Sequence, residues 1–129
     1  MLKQFLEFIQ TNALIKPGEK TLLAVSGGMD SMAMVELFRQ SPYAFEIAHC
    51  NFQLRGADSD KDQALVEETA QKTGVQCHVQ KFDTTTQAQK NKESIQMAAR
   101  TLRYEWLEPI RKESGCQYIA TAHHTDDAI

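Results

Sequence analysis

The stretch LLAVSGGMDS, residues Leu22–Ser31, decides the fold. Its unbroken apolar run is typical of a strand that is buried on both faces, and we place that strand at Thr21–Ser26. The pair Gly27-Gly28 then leads into a helix that we predict to reach about Gln40, because Ser41-Pro42 ends it. At such a strand-to-helix turn, backbone N–H groups and the helix dipole together attract an anion. The stretch therefore predicts a buried strand that ends at an anion-binding edge.

Short apolar runs alternate with longer helical patterns along the rest of the chain, which is typical of βαβ units with a parallel sheet. The other predicted strands are Phe45–Asn51, Val75–Phe82 and Gln117–Ala122, and the other predicted helices are Leu2–Leu14, Ala57–Thr73 and Glu93–Lys112. Gly74 and Gly115 are placed to end two of these helices. The polar stretch DTTTQAQKNK, residues 83–92, is interpreted as a mobile surface loop over the site. We predict an α/β fold, a three-layer doubly wound parallel sheet of Rossmann-like type.

Length and composition favour one compact domain. The chain has 129 residues, of which 42% are hydrophobic and 24% charged, and no linker or repeat divides it. We therefore treat residues 1–129 as a single domain. The final residues, HHTDDAI, resemble the first turn of a helix without a stop signal, so we expect the domain to continue beyond residue 129.

Charge and cysteine content narrow the class of protein. The net charge of −3 leaves this chain without the strongly basic surface that dominates nucleic-acid affinity. Three cysteines without metal or disulfide spacing favour a reducing cytoplasm. No apolar run approaches the roughly 20 residues that a membrane span needs, so we expect no membrane partner.

The glycine turn carries the predicted nucleotide contacts. Taken alone, Gly-Gly is an ordinary turn, but the full stretch Ser26, Gly27, Gly28, Met29, Asp30 and Ser31 resembles the SGGxDS loop of the PP-loop ATP pyrophosphatases. That resemblance implies ATP as cofactor, with the loop around its pyrophosphate. No lysine follows the glycines, which disfavours the machinery of γ-phosphate transfer. An anionic Asp30 beside phosphates needs a cation, so we assign it to Mg²⁺.

Three other segments supply candidate ligands. His49 and Asn51 lie two apart at the end of a predicted strand and share a face, with Arg55 in the loop that follows, although His-x-Asn is more often a strand-end hydrogen-bond arrangement. Gln96, Arg100 and Arg103 form a polar stripe on a helix, which could be merely solvated or could bind phosphate. Finally, His123, His124, Asp126 and Asp127 follow the last strand, where a helix cap with first-turn charge is the simpler explanation.

Together these segments, HCNFQLRG, ESIQMAARTLRYEWL and ATAHHTDDAI, resemble the HxNxxLRG, SxQxxARxxRYxxL and HHxxDxxET motifs of the tRNA(Ile)-lysidine synthetases. The family's Glu-Thr would fall beyond residue 129, and Ala128-Ile129 departs from its commoner sequence. The resemblance implies that ATP adenylates the wobble cytidine of tRNA(Ile) and that free lysine then displaces AMP.

The same resemblance implies roles for individual residues. The candidate catalytic residues are Asp30, Arg100, Asp126 and Asp127, with Asp30 and Asp127 as metal ligands, and the nucleotide contacts beyond the loop are His49, Asn51, Arg55, Arg103 and His123. Lysine's ammonium group and a second metal contact are expected at Asp126 and Asp127. We expect tRNA binding, and any homodimer contact, to lie in regions beyond this chain. Another PP-loop adenylating enzyme, such as a tRNA thiolase or an amidotransferase-type synthetase, and an ATP-binding module without turnover remain alternatives.

Overall fold

The computed structural model describes residues 15–16 and 18–122, and the helix predicted at Leu2–Leu14 lies outside this part of the chain. The strands are β1 (Lys20–Ala24), β2 (Ala44–Asn51), β3 (Cys77–Lys81) and β4 (Tyr118–Thr121). The helices are α1 (Met29–Gln40), α2 (Ala57–Thr73), α3 (Thr84–Lys90) and α4 (Ile95–Glu113).

The described strands form one parallel sheet in the order β3-β2-β1-β4. Ala24, near the end of β1, pairs with Ala48 on one side and with Thr121 on the other. The chain thus moves outward from β1 to β3 and then returns to place β4 on the opposite side of β1. In open α/β sheets, ligands bind at the carboxyl ends of the strands beside such a switch in direction. The segment that follows β1 lies at this position.

The sheet separates two layers of helices. On one face, Leu23 and Ile47 pack with Val35 and Phe38 of α1 and with Val66 of α2. On the other face, a second cluster contains Leu22, Ala24, Ala48, Leu107 and Cys116. Adjacent residues of β1 therefore face opposite layers, and those from Thr21 to Ala24 are all buried, as the unbroken apolar run predicts. The predicted three-layer, doubly wound parallel sheet is confirmed.

Glycines end two helices as predicted. Gly74 is left-handed, with φ of 79°, and its N–H donates to the Ala70 carbonyl. Gly115, with φ of 71°, donates to Lys112, while Cys116 donates to Arg111. This second pair of bonds is a Schellman arrangement, which satisfies carbonyls that the last helical turn leaves without partners.

The prediction of a loop over residues 83–92 was wrong, because α3 occupies much of it. The Asp83 side chain accepts the Thr86 N–H and caps the helix. Thr84 is buried and donates its hydroxyl to the Phe52 carbonyl at 2.9 Å, and Ala88 is also buried. These contacts hold a short helix whose threonine-rich sequence has a weak helical propensity.

The helix α4 agrees closely with the predicted span, but only part of its apolar side is buried. Ile95 is exposed, whereas Ala98 and Leu107 are fully buried. The helix packs against α3 as well as the sheet, so its burial depends on a neighbour that the sequence pattern did not predict. β4, predicted as a core strand, is only half-buried at the edge of the described sheet. Within residues 15–16 and 18–122, no helix is long and apolar enough to cross a membrane.

Candidate functional site

Residues Ser26–Ser31, named the glycine loop here, connect β1 to α1 at the switch between β1 and β4. Gly28 is the N-cap of α1, and no side chain caps the helix. First-turn N–H groups have no partners within a helix, so this end can offer them to an anion. Met29 is 87% exposed, and Asp30 is exposed in the same turn. The loop therefore has the open helix end that an anion site requires.

The Ser31 hydroxyl forms hydrogen bonds with three backbone groups of the glycine loop. It accepts the N–H groups of Ser26 and Gly27, both at 3.2 Å, and donates to the Gly28 carbonyl at 3.0 Å. The Ser26 hydroxyl lies 3.1 Å from it and accepts the Gly28 N–H at 3.2 Å. Two backbone amides thus converge on one oxygen atom, as they would on a phosphate oxygen. To use these two amides, a ligand must replace the Ser31 hydroxyl.

Gly27 must be glycine for two reasons. Its φ of 92° is strained for any residue with a side chain. A Cβ atom at this position would also lie 2.9 Å from the Asp62 Cβ and 3.2 Å from the Asp62 Cα. The second contact is with backbone, so a rotamer change of Asp62 could not relieve it. The glycine loop is therefore in direct contact with α2.

His49 is buried, with 3% of its surface exposed, and makes one hydrogen bond. Its Nδ1 lies 2.7 Å from the Val25 carbonyl, which can only accept, so Nδ1 carries the proton and donates. Among the described residues, Nε2 has no hydrogen-bond partner. Buried polar atoms without partners are uncommon, and they are costly unless a ligand or water satisfies them. His49 therefore presents an acceptor without a partner at the carboxyl end of β2.

Asn51 is buried as well, but its amide is fully engaged. Its Nδ2 donates to Gln63 at 2.8 Å and to Asp60 at 3.1 Å, and its Oδ1 accepts the Gln53 N–H at 3.0 Å. These bonds connect the end of β2 to the first turns of α2. The arrangement matches the strand-end hydrogen-bond alternative, although Asn51 also borders a cavity.

Arg55 forms an ion pair with Asp62, the same residue that packs against Gly27. The Arg55 backbone N–H donates to the Ser59 hydroxyl at 3.0 Å, which fixes the main chain at the start of α2. The guanidinium group itself is largely exposed. A positive side chain is thereby held beside the glycine loop on a fixed backbone.

Two cavities adjoin the glycine loop. The larger, about 320 Å³, is lined by Ser26, His49, Cys50, Asn51, Phe52, Leu54, Arg55, Ser59 and Asp62. The smaller, about 140 Å³, is lined by Ala24, Val25, Ser26, Ser31, Ala48, Cys50, Phe52, Arg103 and Ala122. Ser26 borders both, so the loop connects them. Of the predicted nucleotide contacts, the structure brings Ser26, Ser31, His49, Asn51, Arg55 and Arg103 to these cavities.

Phe52 and Cys50 border both cavities. Phe52 stacks on Phe82 with ring centroids 5.6 Å apart, and Phe82 meets Trp106 edge-on at 6.0 Å. Burial raises the pKa of the Cys50 thiol to about 12, although the nearby Arg103 guanidinium opposes this shift. Cys50 is therefore an uncharged wall residue at neutral pH.

The helical stripe of α4 divides into two parts. Gln96 and Arg100 are exposed, and the Arg100 guanidinium lies over the Tyr104 ring at 5.7 Å from its centroid. Arg103 is half-buried and lines the smaller cavity with Ser26 and Ser31. The structure therefore brings Arg103 to the glycine loop, while Arg100 lines neither of the two cavities described above.

The predicted residues His123, Asp126 and Asp127 lie outside the described part of the chain. Within residues 15–16 and 18–122, no group of three or more His, Cys, Asp or Glu side chains could hold a metal ion. Asp30 is thus the one predicted metal ligand whose position the structure gives. The fit of Mg²⁺ depends on oxygen ligands beyond these residues, such as the phosphates of a nucleotide.

Sequence reasoning missed Asp62 and Cys50. Asp62 falls within an acidic run at the start of α2, where acidic residues are common because they complement the helix dipole. Its spacing of three from Ser59, on one helix face, was the available signal. For Cys50, the signal was its place between His49 and Asn51 at the end of a strand.

Comparisons with known proteins agree with this geometry. A family model described as a PP-loop domain matches residues 1–129, and the chain belongs to this family. Its membership supports the use of ATP. Among solved structures, an NH3-dependent NAD synthetase from Campylobacter jejuni matches with a TM-score of 0.69 over 95% of this chain and 55% of that one. At 15% identity, this likeness shows the fold alone.

Curated relatives are more specific. The chain is 42% identical over 127 residues to a tRNA(Ile)-lysidine synthase of Bacteroides thetaiotaomicron, covering 98% of this chain and 30% of that protein. It is 45% identical over 120 residues to one from Porphyromonas gingivalis, covering 92% and 26%. The match to the Chlorobaculum tepidum enzyme is 41% over 129 residues, covering 97% and 39%. The chain therefore spans between a quarter and two fifths of the length of these three relatives.

Proposed function

We propose that this chain is the ATP-binding domain of a tRNA(Ile)-lysidine synthase, an ATP-dependent ligase. The observation that carries the proposal is the uncapped helix end at the glycine loop, located at the switch between β1 and β4. Identity of 41% to 45% with enzymes of that name supports the particular reaction.

The reaction has two steps. The ring carbonyl oxygen of the wobble cytidine attacks the α-phosphorus of ATP, and pyrophosphate leaves with the bond electrons. The side-chain amine of lysine then attacks the activated ring carbon, loses a proton and displaces AMP. The enzyme's task is to position the reactants and to stabilise the negative charge that develops on the leaving groups.

The glycine loop binds the pyrophosphate portion of ATP. The Ser31 hydroxyl turns away from the amides of Ser26 and Gly27, and phosphate oxygens take its place, with the hydroxyls of Ser26 and Ser31 as further donors. Rotation of one serine side chain is a small rearrangement, so the closed loop does not prevent binding.

Positive charge approaches the same site from two sides. Arg55 borders the larger cavity and Arg103 the smaller one, and guanidinium groups suit phosphate oxygens because of their forked donors. His49 accepts a hydrogen bond from the nucleotide through Nε2, while Asn51 borders the larger cavity and Met29 contacts the nucleotide from the exposed part of the loop. Arg100 acts on the adenylated intermediate further from the loop.

The acidic residues hold the cation and the amine. Asp30 and Asp127 bind Mg²⁺, which offsets the charge of pyrophosphate when it is bound. Asp126 and Asp127 receive the lysine ammonium group, with His123 at the nucleotide. The last described residue, Ala122, lines the smaller cavity, which supports a location of this segment near Arg103.

Two further proposals concern the protein as a whole. Residues 1–129 form a single domain, and sequence beyond them supplies most of the tRNA contact, since this domain carries a net charge of −3. We place the enzyme in the cytoplasm, and any homodimer contact in regions outside this chain.

The thiol chemistry of a tRNA thiolase has no support in this domain. Burial raises the pKa of Cys50 to about 12 and that of Cys77 to about 11. The pKa of Cys116 is raised as well, again chiefly by burial. None of these cysteines is an activated thiolate at neutral pH, which is the form that sulfur transfer requires.

The proposal is tested with Asp30→Ala in the full-length protein. We expect sustained, multiple-turnover release of pyrophosphate to require tRNA(Ile) and lysine in the unaltered enzyme, and to fall at least about 100-fold in the variant, because a metal ligand beside the phosphates is lost. Glu36→Ala is the matched control, since Glu36 is an exposed acid on the same helix, paired with Arg39 away from the loop. Full activity of Asp30→Ala would contradict its assignment. An unaltered enzyme that bound ATP without tRNA- and lysine-dependent turnover would contradict the function.

A further inference from the structure

The contact between Arg55, Asp62 and the glycine loop places an acid where a polyphosphate is expected. Arg55 Nη2 contacts Asp62 Oδ2, and a Cβ on Gly27 would lie 3.2 Å from the Asp62 carboxylate carbon. A carboxylate this close to a phosphate seat repels the ligand unless a cation neutralises it. Arg55 supplies that charge in the present state.

The Arg55–Asp62 ion pair is exposed to solvent, so Arg55 can exchange Asp62 for another anion. The Arg55 side chain is 64% exposed and that of Asp62 is 26% exposed. An exposed ion pair changes an equilibrium by at most about fivefold, because water and salt screen it. A forked guanidinium contact with phosphate is charge-assisted and contributes roughly tenfold or more. A bound polyphosphate therefore competes successfully with Asp62 for Arg55.

The backbone around the pair is fixed, so only side chains need to move. Arg55 donates its N–H to Ser59, and its carbonyl accepts the Asp58 N–H at 3.1 Å. The ion pair of Lys81 with Asp60, at 4.0 Å, involves different residues. Arg55 also borders the larger cavity together with Ser26, so its guanidinium has space beside the loop.

We propose that Asp62 is a positioning residue that holds Arg55 beside the glycine loop in the nucleotide-free protein and yields it to the polyphosphate when ATP binds. This inference rests on the proposed function, because it requires phosphate to bind at the glycine loop. It assigns Asp62 an action through Arg55 rather than a direct contact with substrate. Substitution of Asp62 is therefore expected to improve ligand binding, because it removes the ion pair that competes with phosphate for Arg55.

The test measures dissociation constants of inorganic pyrophosphate with Mg²⁺, and of ATP, by calorimetry on the full-length protein. Asp62→Asn keeps the size of the side chain and removes its charge, so we expect binding to tighten about threefold to fivefold. Arg55→Ala should weaken binding roughly tenfold or more. In the double variant, the gain from Asp62→Asn should be smaller than in the presence of Arg55, because only the direct repulsion by the Asp62 carboxylate is removed and there is no guanidinium left to release. Glu108→Gln, which breaks the exposed pair with Arg111 on α4, should leave both constants unchanged.

The outcomes separate this inference from the proposed function. Weaker pyrophosphate binding by Asp62→Asn, or an equal gain with and without Arg55, would overturn the exchange while the unaltered protein still bound ATP. Thermal unfolding of each variant distinguishes damage to the fold, which can weaken binding but cannot tighten it in an Arg55-dependent way. Failure of the unaltered protein to bind either ligand would overturn the proposed function and the exchange together.

Discussion

The two edges of the sheet differ in how they hold their charged and titratable side chains. At the amino ends of the strands, Glu46 accepts from Lys20 at 2.6 Å and lies 2.7 Å from His78 Nε2. At the carboxyl ends, the buried Nε2 of His49 has no partner among the described residues, and the exposed pair of Arg55 and Asp62 adjoins the glycine loop. The amino edge satisfies its own charges, while the carboxyl edge keeps groups that a ligand can use.

The pKa of Glu46 shows how the contacts with Lys20 and His78 contribute to the stability of the fold. Burial raises this pKa, but hydrogen bonds from Lys20 and His78 outweigh burial, and the pKa of Glu46 lies below its ordinary value. The ionised carboxylate therefore stabilises the folded state. The charged cluster around Glu46 thus supports the fold, and we propose that the groups at the carboxyl edge serve ligand binding instead. Substitutions at the two edges should separate stability from ligand binding.

The largest effect is expected from Gly27→Ala, which should lower ATP affinity at least about 100-fold. The added Cβ combines a strained φ with a collision against the backbone of α2. Gly74→Ala is the matched control, because its φ of 79° is similar but a Cβ there meets nothing within 4 Å. It should cost about 1 kcal/mol of stability and leave ATP binding intact. Equal loss of binding in both variants, measured by calorimetry, would mean that backbone strain rather than the α2 contact matters.

Arg103→Ala should raise the KM for ATP roughly tenfold, because a guanidinium at the smaller cavity contacts phosphate through charge-assisted hydrogen bonds.

Arg100→Ala, in contrast to Arg103→Ala, should leave the KM for ATP within about twofold and lower kcat instead, since Arg100 lies over Tyr104 and borders neither cavity described here. Steady-state release of pyrophosphate measures both constants. The reverse assignment of the two effects would move the nucleotide from the smaller cavity toward the exposed face of α4.

Glu46→Gln should reduce the free energy of unfolding by about 1 to 2 kcal/mol at pH 7, because a charged hydrogen-bond acceptor is lost at a partly buried position. ATP affinity should not change. Since the folded pKa of Glu46 is depressed, its stabilisation is present above the ordinary carboxyl pKa and is lost as the pH falls through the folded value. Urea unfolding of both proteins should therefore give converging stabilities in acid. If the difference in the free energy of unfolding between the two proteins persisted or grew on acidification, it would not arise from the ionised Glu46 carboxylate.

The smallest effect is expected from His49→Asn. The Asn amide can still donate to the Val25 carbonyl in place of Nδ1, but the acceptor at Nε2 is lost. We expect a rise of a few-fold in the dissociation constant of ATP, in line with one neutral hydrogen bond. Adenosine binding should weaken by the same factor if the nucleoside donates to Nε2, and pyrophosphate binding should not change. Unchanged affinity for all three ligands would give His49 a structural role only.

The sequence predicted the fold well where local signals agree with long-range packing. The apolar run of β1, the glycine turn and the span of α2 were all predicted, because buried strands and capped helices leave clear patterns. The helix α3 was missed because its stability comes from tertiary contacts, such as that of Thr84 with Phe52, rather than from its threonine-rich sequence. The burial of α4 depends in turn on this unpredicted neighbour, and Ile95 at its start is exposed.

The candidate site was predictable in residue type but not in geometry. The motif sequence placed Ser26, His49 and Arg55 near one another, and they do border the larger cavity. Helical spacing put Arg100 and Arg103 on one stripe, yet it could not decide which of them faces the glycine loop, because that depends on how α4 rotates against the sheet. Asp62 was not predicted, since its importance lies in a close approach between α2 and a glycine distant in sequence.

The proposed function depends above all on contact between the glycine loop and the polyphosphate of ATP. The most direct measurement is a crystal structure of the full-length protein with Mg²⁺ and a non-hydrolysable ATP analogue. We predict phosphate oxygens within hydrogen-bond distance of the backbone N–H groups of Ser26 and Gly27, with the Ser31 hydroxyl turned away from them. A bound nucleotide elsewhere, with Ser31 still accepting both amides as it does now, would contradict the account.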